Sequence, residues 1–167
     1  NKDAFTEDGF FRTGDAGYIK DGELFLTDRI KDLFKTSNGK YIAPQLVESL
    51  ILVDKYIDQV AVIANERKFV SALIVPEFRL VEDWAKEHGI EFCSREDLCA
   101  NPKVNKMILD RVKTLQQQLA HYEQVKRITL IPHHFSMESG ELTNTLKIRR
   151  PVVYKNYKNE IDKMYEE

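Results

Sequence analysis

The sequence predicts a small α+β domain, β-hairpins followed by a small sheet flanked by helices, and three observations predict it. Asp21-Gly22 and Asn38-Gly39 are turn pairs set between short runs of alternating or apolar residues, the signature of hairpins. IDQVAVIAN (57–65) and FVSALIVP (69–76) are rich in β-branched residues and bounded by charged turns, so they read as paired core strands. Segments with apolar residues at helical spacing fall among these strands without the regular alternation of a doubly wound sheet.

In chain order, GYIKDGELFLTDR places Asp21-Gly22 where a type I′ turn needs it, and TSNGKYI repeats the arrangement with Asn38-Gly39. Pro44 suits the first turn of a short helix with Leu46, Val47, Leu50 and Ile51 on its apolar face and Glu48 on its polar side. After the two core strands, Leu80, Val81, Trp84 and His88 recur at helical spacing up to Gly89, a stop signal. Ser94 to Asp97 is a capping signal for a further short helix. Asn101-Pro102 opens the longest helix, with Val104, Ile108, Leu115, Leu119 and Tyr122 on one stripe. RITLIP (127–132) reads as a last strand, and Pro151 begins a terminal helix carrying Tyr154, Tyr157, Ile161 and Tyr165.

With 27 acidic and 25 basic residues the net charge is -2, so no global field steers the chain toward nucleic acid or an anionic membrane, and any anion site must be local. Cys93 and Cys99 have no second Cys/His pair at metal-ligand spacing, so both read as reduced and structural. The apolar runs fall far short of the ~20 residues that span a bilayer, and NKDAFTEDGFF lacks a signal pattern. The expectation is a cytoplasmic chain with at most peripheral membrane contact.

The local anion site that the charges allow lies at GELTNTLKIRR (140–150), where Lys147, Arg149 and Arg150 gather beside Thr143 and Thr145. A mobile ammonium with nearby hydroxyl and N–H donors suits a phosphate, although a lysine on a loop is more often plain surface. In RTGDAGYI (12–19), Asp15 on a tight turn could accept two hydrogen bonds from a ribose diol or simply lead into a strand. Phe5, Phe10 and Phe11 either cover a face left by a missing neighbour or form a local hairpin core. Adjacent His133 and His134 point in different directions, against a shared metal. The glycine-rich phosphate loop, HExxH and GxSxG are all missing.

Taken in order, TGD, DRIKDLFKTSNGKYIAP and LTNTLKIRR resemble the C-terminal part of the adenylate-forming superfamily, which includes acyl-CoA synthetases, luciferases and peptide-synthetase adenylation domains. GKYIAPQLVESLI, LTNTLKIRRP and the long insert between residues 78 and 125 look most like long-chain fatty acyl-CoA synthetases. The resemblance implies that residues 1–28 end a large N-terminal adenylation domain and that 29–167 form its small C-terminal lid. It also implies an AMP-forming fatty acid–CoA ligase, using ATP, Mg²⁺ held mainly outside this segment, and coenzyme A. The chain alone should be inactive without the N-terminal domain.

By the same resemblance, Lys147 is the adenylation lysine that bridges the attacking carboxylate and the α-phosphate. Asp15 binds the ribose hydroxyls, Arg29 approaches ribose or phosphate, and Lys31 is the hinge. Lys35 and Gly39 lie on the face used for the thioester step, with no metal ligand assigned. The chain departs from many members at Asp28, which stands in place of glycine, at Lys31 in place of Asp, and at Leu46 in place of an acidic residue, leaving Glu48 alone. Two rivals remain: an adenylating enzyme for another carboxylic acid, and a non-enzymatic module that contacts a phosphate-bearing partner through Arg149, Arg150, Lys155 and Lys158.

Overall fold

The structure is a computed structural model that describes residues 4–166, apart from the Asp28 side chain; the first three residues and Glu167, which the expected domain bounds include, lie outside it. β1 (Asp15–Lys20) and β2 (Glu23–Arg29) form an antiparallel hairpin. Asp21 and Gly22 both have positive φ, 52° and 83°, as the expected type I′ turn requires. A 3-10 turn, Ile30–Asp32, leads to a second small hairpin of β3 (Phe34–Lys35) and β4 (Tyr41–Ile42).

α1 (Pro44–Ile51) precedes β5 (Ile57–Ile63) and β6 (Val70–Pro76), which pair antiparallel with Val62 opposite Ala72. α2 (Phe78–Glu87), α3 (Arg95–Ala100) and α4 (Pro102–Leu115) then supply the long crossover that lets β7 (Val125–Leu130) pair parallel to β6. The sheet order is β5-β6-β7, and every residue of the central β6 is buried, Ser71 included. α1 packs on β5 and α4 on β7. α5 (Arg150–Asn156) and α6 (Lys158–Lys163) close the described chain.

Side chains end these elements where the sequence places them. Asn101 Oδ1 accepts from the N–H groups of Lys103 and Val104, and Ser94 Oγ accepts from Asp97 N–H while Asp97 returns the bond to Cys93 N–H at 3.2 Å. The buried Gln116 amide donates to Val125 O at 2.9 Å and accepts from Val125 N–H at 2.8 Å, which extends the sheet by one side chain. Cys93 and Cys99 are free thiols, and burial, with Glu96 nearby, pushes the Cys99 thiol up to about 12.

The structure departs from expectation at three helices. α4 stops at Leu115, because Gln116 turns to serve Val125; Leu119 and Tyr122 lie beyond it. The terminal helix breaks at Tyr157, whose φ of -109° and ψ of 29° leave the helical region. Glu48 is not on a polar side: it is 8 % exposed and shares the buried stripe of α1 with Pro44, Val47 and Ile51.

Among the described residues, burial begins at Phe34, and nothing before it is buried. Phe5 and Phe11 meet edge to face at 5.5 Å, yet Phe10, Phe11 and Ile19 are 72 %, 62 % and 76 % exposed. Among the described residues no helix is long and apolar enough to cross a membrane.

Candidate functional site: two lysine-bearing turns and an acid-base pair

The loop that carries Lys147 is a small hairpin closed by a bridge between Leu142 and Ile148 and by Arg149 N–H donating to Glu141 O at 2.7 Å. Inside it, Thr143 N–H donates to Lys147 O (2.8 Å), Leu146 N–H donates to Thr143 O (2.8 Å), and Lys147 N–H donates to Thr143 Oγ1 (3.1 Å). Leu146 takes a φ of 59°, a left-handed conformation that costs a side-chain-bearing residue about 1–2 kcal/mol. The Thr143 and Thr145 hydroxyls bond each other at 3.0 Å, so they brace the turn instead of projecting from it. Lys147 is exposed, and among the described residues its ammonium has no hydrogen bond or ion pair. It lines a groove of about 550 Å³ together with Asp32, Gln45, Ser49, Arg149 and Arg150.

The TSNGK loop has the same frame. Thr36 N–H donates to Lys40 O (2.9 Å), Gly39 N–H donates to Thr36 O (2.9 Å), and Lys40 N–H donates to Thr36 Oγ1 (3.1 Å). Gly39, at φ 76°, stands where Leu146 stands in the other loop. This corrects the expected two-residue Asn38-Gly39 turn: the loop has three residues between its paired ends, and only Gly39 is left-handed, the usual form of a three-residue hairpin. A Cβ at Gly39 would meet nothing within 4 Å, so its surroundings are open. Lys35 and Lys40 lie over the Tyr41 and Tyr122 rings at 5.9 and 5.5 Å.

Asp15 and Arg29 are cross-strand partners at the start of the first hairpin, with Arg29 Nε 3.5 Å from Asp15 Oδ1. Thr13 Oγ1 accepts from Asp15 N–H at 3.1 Å, and Ile30 N–H donates to Gly14 O at 2.8 Å, so the TGD turn is held against the end of β2. Lys31 is exposed in the 3-10 turn, next to Asp32 on the rim of the Lys147 groove. Asp15, Arg29, Lys35 and Gly39 do not line that groove. The structure therefore brings Asp15 to Arg29 and Lys35 to the Gly39 hairpin, while Lys147 shares its groove with the Lys31-Asp32 turn.

Among the described residues no group of three or more His, Cys, Asp or Glu is gathered to hold a metal ion. His133 faces Glu96 at 3.6 Å and His134 faces Asp58 at 3.3 Å, two separate carboxylates.

Sequence reasoning missed the pairing of Glu48 with Arg150, which binds it through both guanidinium prongs at 2.7 and 2.9 Å. The signal was present: Glu48 lies at the i+4 position from Pro44 and i-3 from Ile51, inside the apolar stripe. An acid inside a stripe calls for a cation across from it. Arg150 is thus no ordinary surface charge.

A family model for the AMP-binding enzyme C-terminal domain matches residues 31–167. The chain belongs to that family. It is 37% identical over 167 residues to long-chain-fatty-acid–CoA ligase 1 of Homo sapiens, an alignment that takes in 98% of this chain and 24% of the relative. It is 36% identical over 164 residues to long chain acyl-CoA synthetase 2 of Arabidopsis thaliana, covering 96% of this chain and 25% of that protein. The chain thus spans about a quarter of the length of these relatives. Among solved structures, the adenylation domain of a carboxylate reductase from Mycobacterium chelonae superposes with a TM-score of 0.75 at 25% identity, over 98% of this chain and 24% of that one. The expected α+β fold of the adenylate-forming C-terminal domain is borne out.

Proposed function

We propose that this chain is the C-terminal part of an AMP-forming long-chain fatty acid–CoA ligase, with residues 29–167 as the mobile small domain and residues 1–28 as the end of a large N-terminal domain. The single observation that carries this reading is an unpaired, exposed Lys147 ammonium on a braced, left-handed turn, in a chain 37% identical to a fatty-acid–CoA ligase. The uncovered Phe10, Phe11 and Ile19 fit a hairpin that packs on the large domain.

The full-length protein would take a fatty acid, ATP and coenzyme A. The fatty acid carboxylate attacks the α-phosphate of ATP, pyrophosphate leaves, and the coenzyme A thiol then displaces AMP from the acyl-adenylate. Lys147 would hold the carboxylate and α-phosphate oxygens as negative charge moves between them, which is electrostatic preorganisation. Asp15 would accept from the ribose hydroxyls, with Arg29 beside it at 3.5 Å fixing the carboxylate and adding a cation. Lys31 would absorb the rotation that exchanges one face of the domain for the other. The open space at Gly39, beside Lys35, would admit the pantetheine arm close to backbone. Mg²⁺ would be held mainly by the phosphates of ATP and by residues outside this segment. A cytoplasmic setting accords with the two free thiols.

The second reading, a phosphate-binding module using Arg149, Arg150, Lys155 and Lys158, loses Arg150 to Glu48. The test measures the two half-reactions separately in the full-length protein. Lys147→Ala should lower acyl-adenylate formation by about 10²–10³, roughly 3–4 kcal/mol, and spare thioester formation from supplied acyl-adenylate. Gly39→Asn, which tolerates the left-handed backbone while adding a side chain, should do the reverse. Equal losses in both half-reactions for both variants would sink the assignment of two faces.

A further inference from the structure

We infer that Arg150, acting through Glu48, is a positioning residue for the adenylation step, clamping the root of the Lys147 loop onto the open edge of the sheet; this rests on the function proposed above. Arg150 is the first residue of α5, directly after the loop. Its Nη1 donates to Glu48 Oε1 at 2.7 Å and its Nη2 to Glu48 Oε2 at 2.9 Å, with the two side chains 19% and 11% exposed. Glu48 Oε1 also accepts from Val62 N–H at 2.9 Å, and Arg150 Nη1 approaches Val62 O at 3.4 Å.

β5 is an edge strand, paired only with β6. Both backbone groups of Val62 are therefore met by the ion pair, which stands where a neighbouring strand would otherwise be. The guanidinium lies 5.0 Å from the centre of the Phe34 ring, at the start of β3. One buried pair thus ties α1, β5, β3 and the start of α5 to a single point.

The loop itself is stiff but tethered only at its root. Its backbone bonds run within the turn, to Glu141 and, from Leu142 N–H at the root, to Ser136 O at 3.0 Å, and Asn144, Thr145 and Leu146 at the tip are exposed. Glu141 is held in turn by Ser139 Oγ at 2.7 Å and Asn156 Nδ2 at 3.0 Å. The place of the Lys147 ammonium relative to the sheet is consequently set where α5 begins. A two-pronged guanidinium fixes that point in orientation as well as distance, which a lysine ammonium does not. The TSNGK hairpin touches the guanidinium only through the Phe34 ring and has three hydrogen-bonded anchors of its own on the turn between β5 and β6, so loosening Arg150 should act mainly on one half-reaction.

The test uses the full-length protein with Arg150→Lys, Glu48→Gln and the double variant. Arg150→Lys should keep the fold, as read by circular dichroism, and lower kcat for acid-dependent ATP–pyrophosphate exchange roughly tenfold while KM for ATP and acid stays within about twofold. Thioester formation from supplied acyl-adenylate should change by less than about threefold, a split that general destabilisation does not produce. In the Glu48→Gln background, Arg150→Lys should lose most of its effect, because the pair acts as a unit. If Arg150→Lys fails to fold, Glu48→Gln, which keeps an acceptor for Val62 N–H, carries the same predicted split. Unchanged exchange in a folded variant, or equal falls in both half-reactions, overturns the inference alone. Absence of exchange in the wild type overturns it together with the proposed function.

Discussion

The TSNGK and TNTLK turns are built alike and mounted differently. Each opens on a threonine whose hydroxyl accepts the N–H of the closing lysine at 3.1 Å, and each places its fourth residue in the left-handed region. The first is pinned from outside: Ser37 N–H donates to Arg67 O (3.0 Å), Glu66 N–H donates to Lys35 O (2.8 Å), and Asn38 Nδ2 reaches Lys68 O (3.4 Å). The second has a free tip and a fixed root. A glycine holds the left-handed position where the surroundings are open, and a leucine, 68 % exposed, holds it beside Lys147. One turn thus has two mountings, pinned to its neighbours in TSNGK and free at its tip in TNTLK.

The largest separation between the turns should come from their threonines. Thr36 is 6 % exposed, and its hydroxyl also donates to Lys40 O at 3.2 Å, so Thr36→Val should cost about 2–3 kcal/mol by leaving Lys40 N–H unmet. Thr143→Val, with Lys147 N–H able to turn to water, should cost about 0.5–1 kcal/mol. Urea unfolding of the chain compares them, and equal costs would erase the distinction between pinned and free.

Alkaline pH should release the pinned turn next. Arg67, which holds Ser37, is itself held by Asp162 at 2.8 Å and by the Tyr165 ring at 4.9 Å. The Tyr165 hydroxyl shares its one proton between Ile63 O and Phe69 O, at 3.1 and 3.0 Å, with Ser71 Oγ 2.7 Å away, and burial pushes it from 10.0 up to about 12. Between these values the unfolded tyrosine has lost its proton and the folded one has not, so stability is full below pH 10 and falls as pH rises toward 12, by on the order of 2 kcal/mol. Tyr154 and Tyr157 are raised by burial as well and act in the same direction. Tyr165→Phe should flatten this loss in a pH series of unfolding midpoints; an unchanged slope would contradict it.

The smallest effect concerns the left-handed residues. Gly39→Ala meets no neighbour and should cost only the backbone term, about 1–2 kcal/mol. Leu146→Gly relieves that term but adds unfolded-state freedom, so it should gain less than about 1 kcal/mol. A loss on Leu146→Gly, read by thermal unfolding, would show that the leucine packs and is not merely tolerated.

Much of this was legible in the sequence. Asp21-Gly22 stated its turn type, Asn101 and Ser94 marked their helices, and the runs at 57–65 and 69–76 declared a pair of core strands. The order of the TGD, TSNGK and TNTLK stretches pointed to the family. What stayed hidden needed contacts from distant parts of the chain. Glu48, inside an apolar stripe, calls for a cation, but its partner Arg150 is far away in sequence and alone looks like surface charge. The end of α4 depends on Gln116 finding Val125 across a turn, and the likeness of the two turns depends on a left-handed leucine that no propensity favours.

If the free-tipped turn carries the lysine of adenylation, fatty-acid-dependent ATP–pyrophosphate exchange in the full-length protein must depend on Lys147. Wild type should exchange, and a folded Lys147→Ala variant should fall by about 10²–10³. Exchange that persists in Lys147→Ala would contradict that role and return the lysine to the solvent-exposed surface.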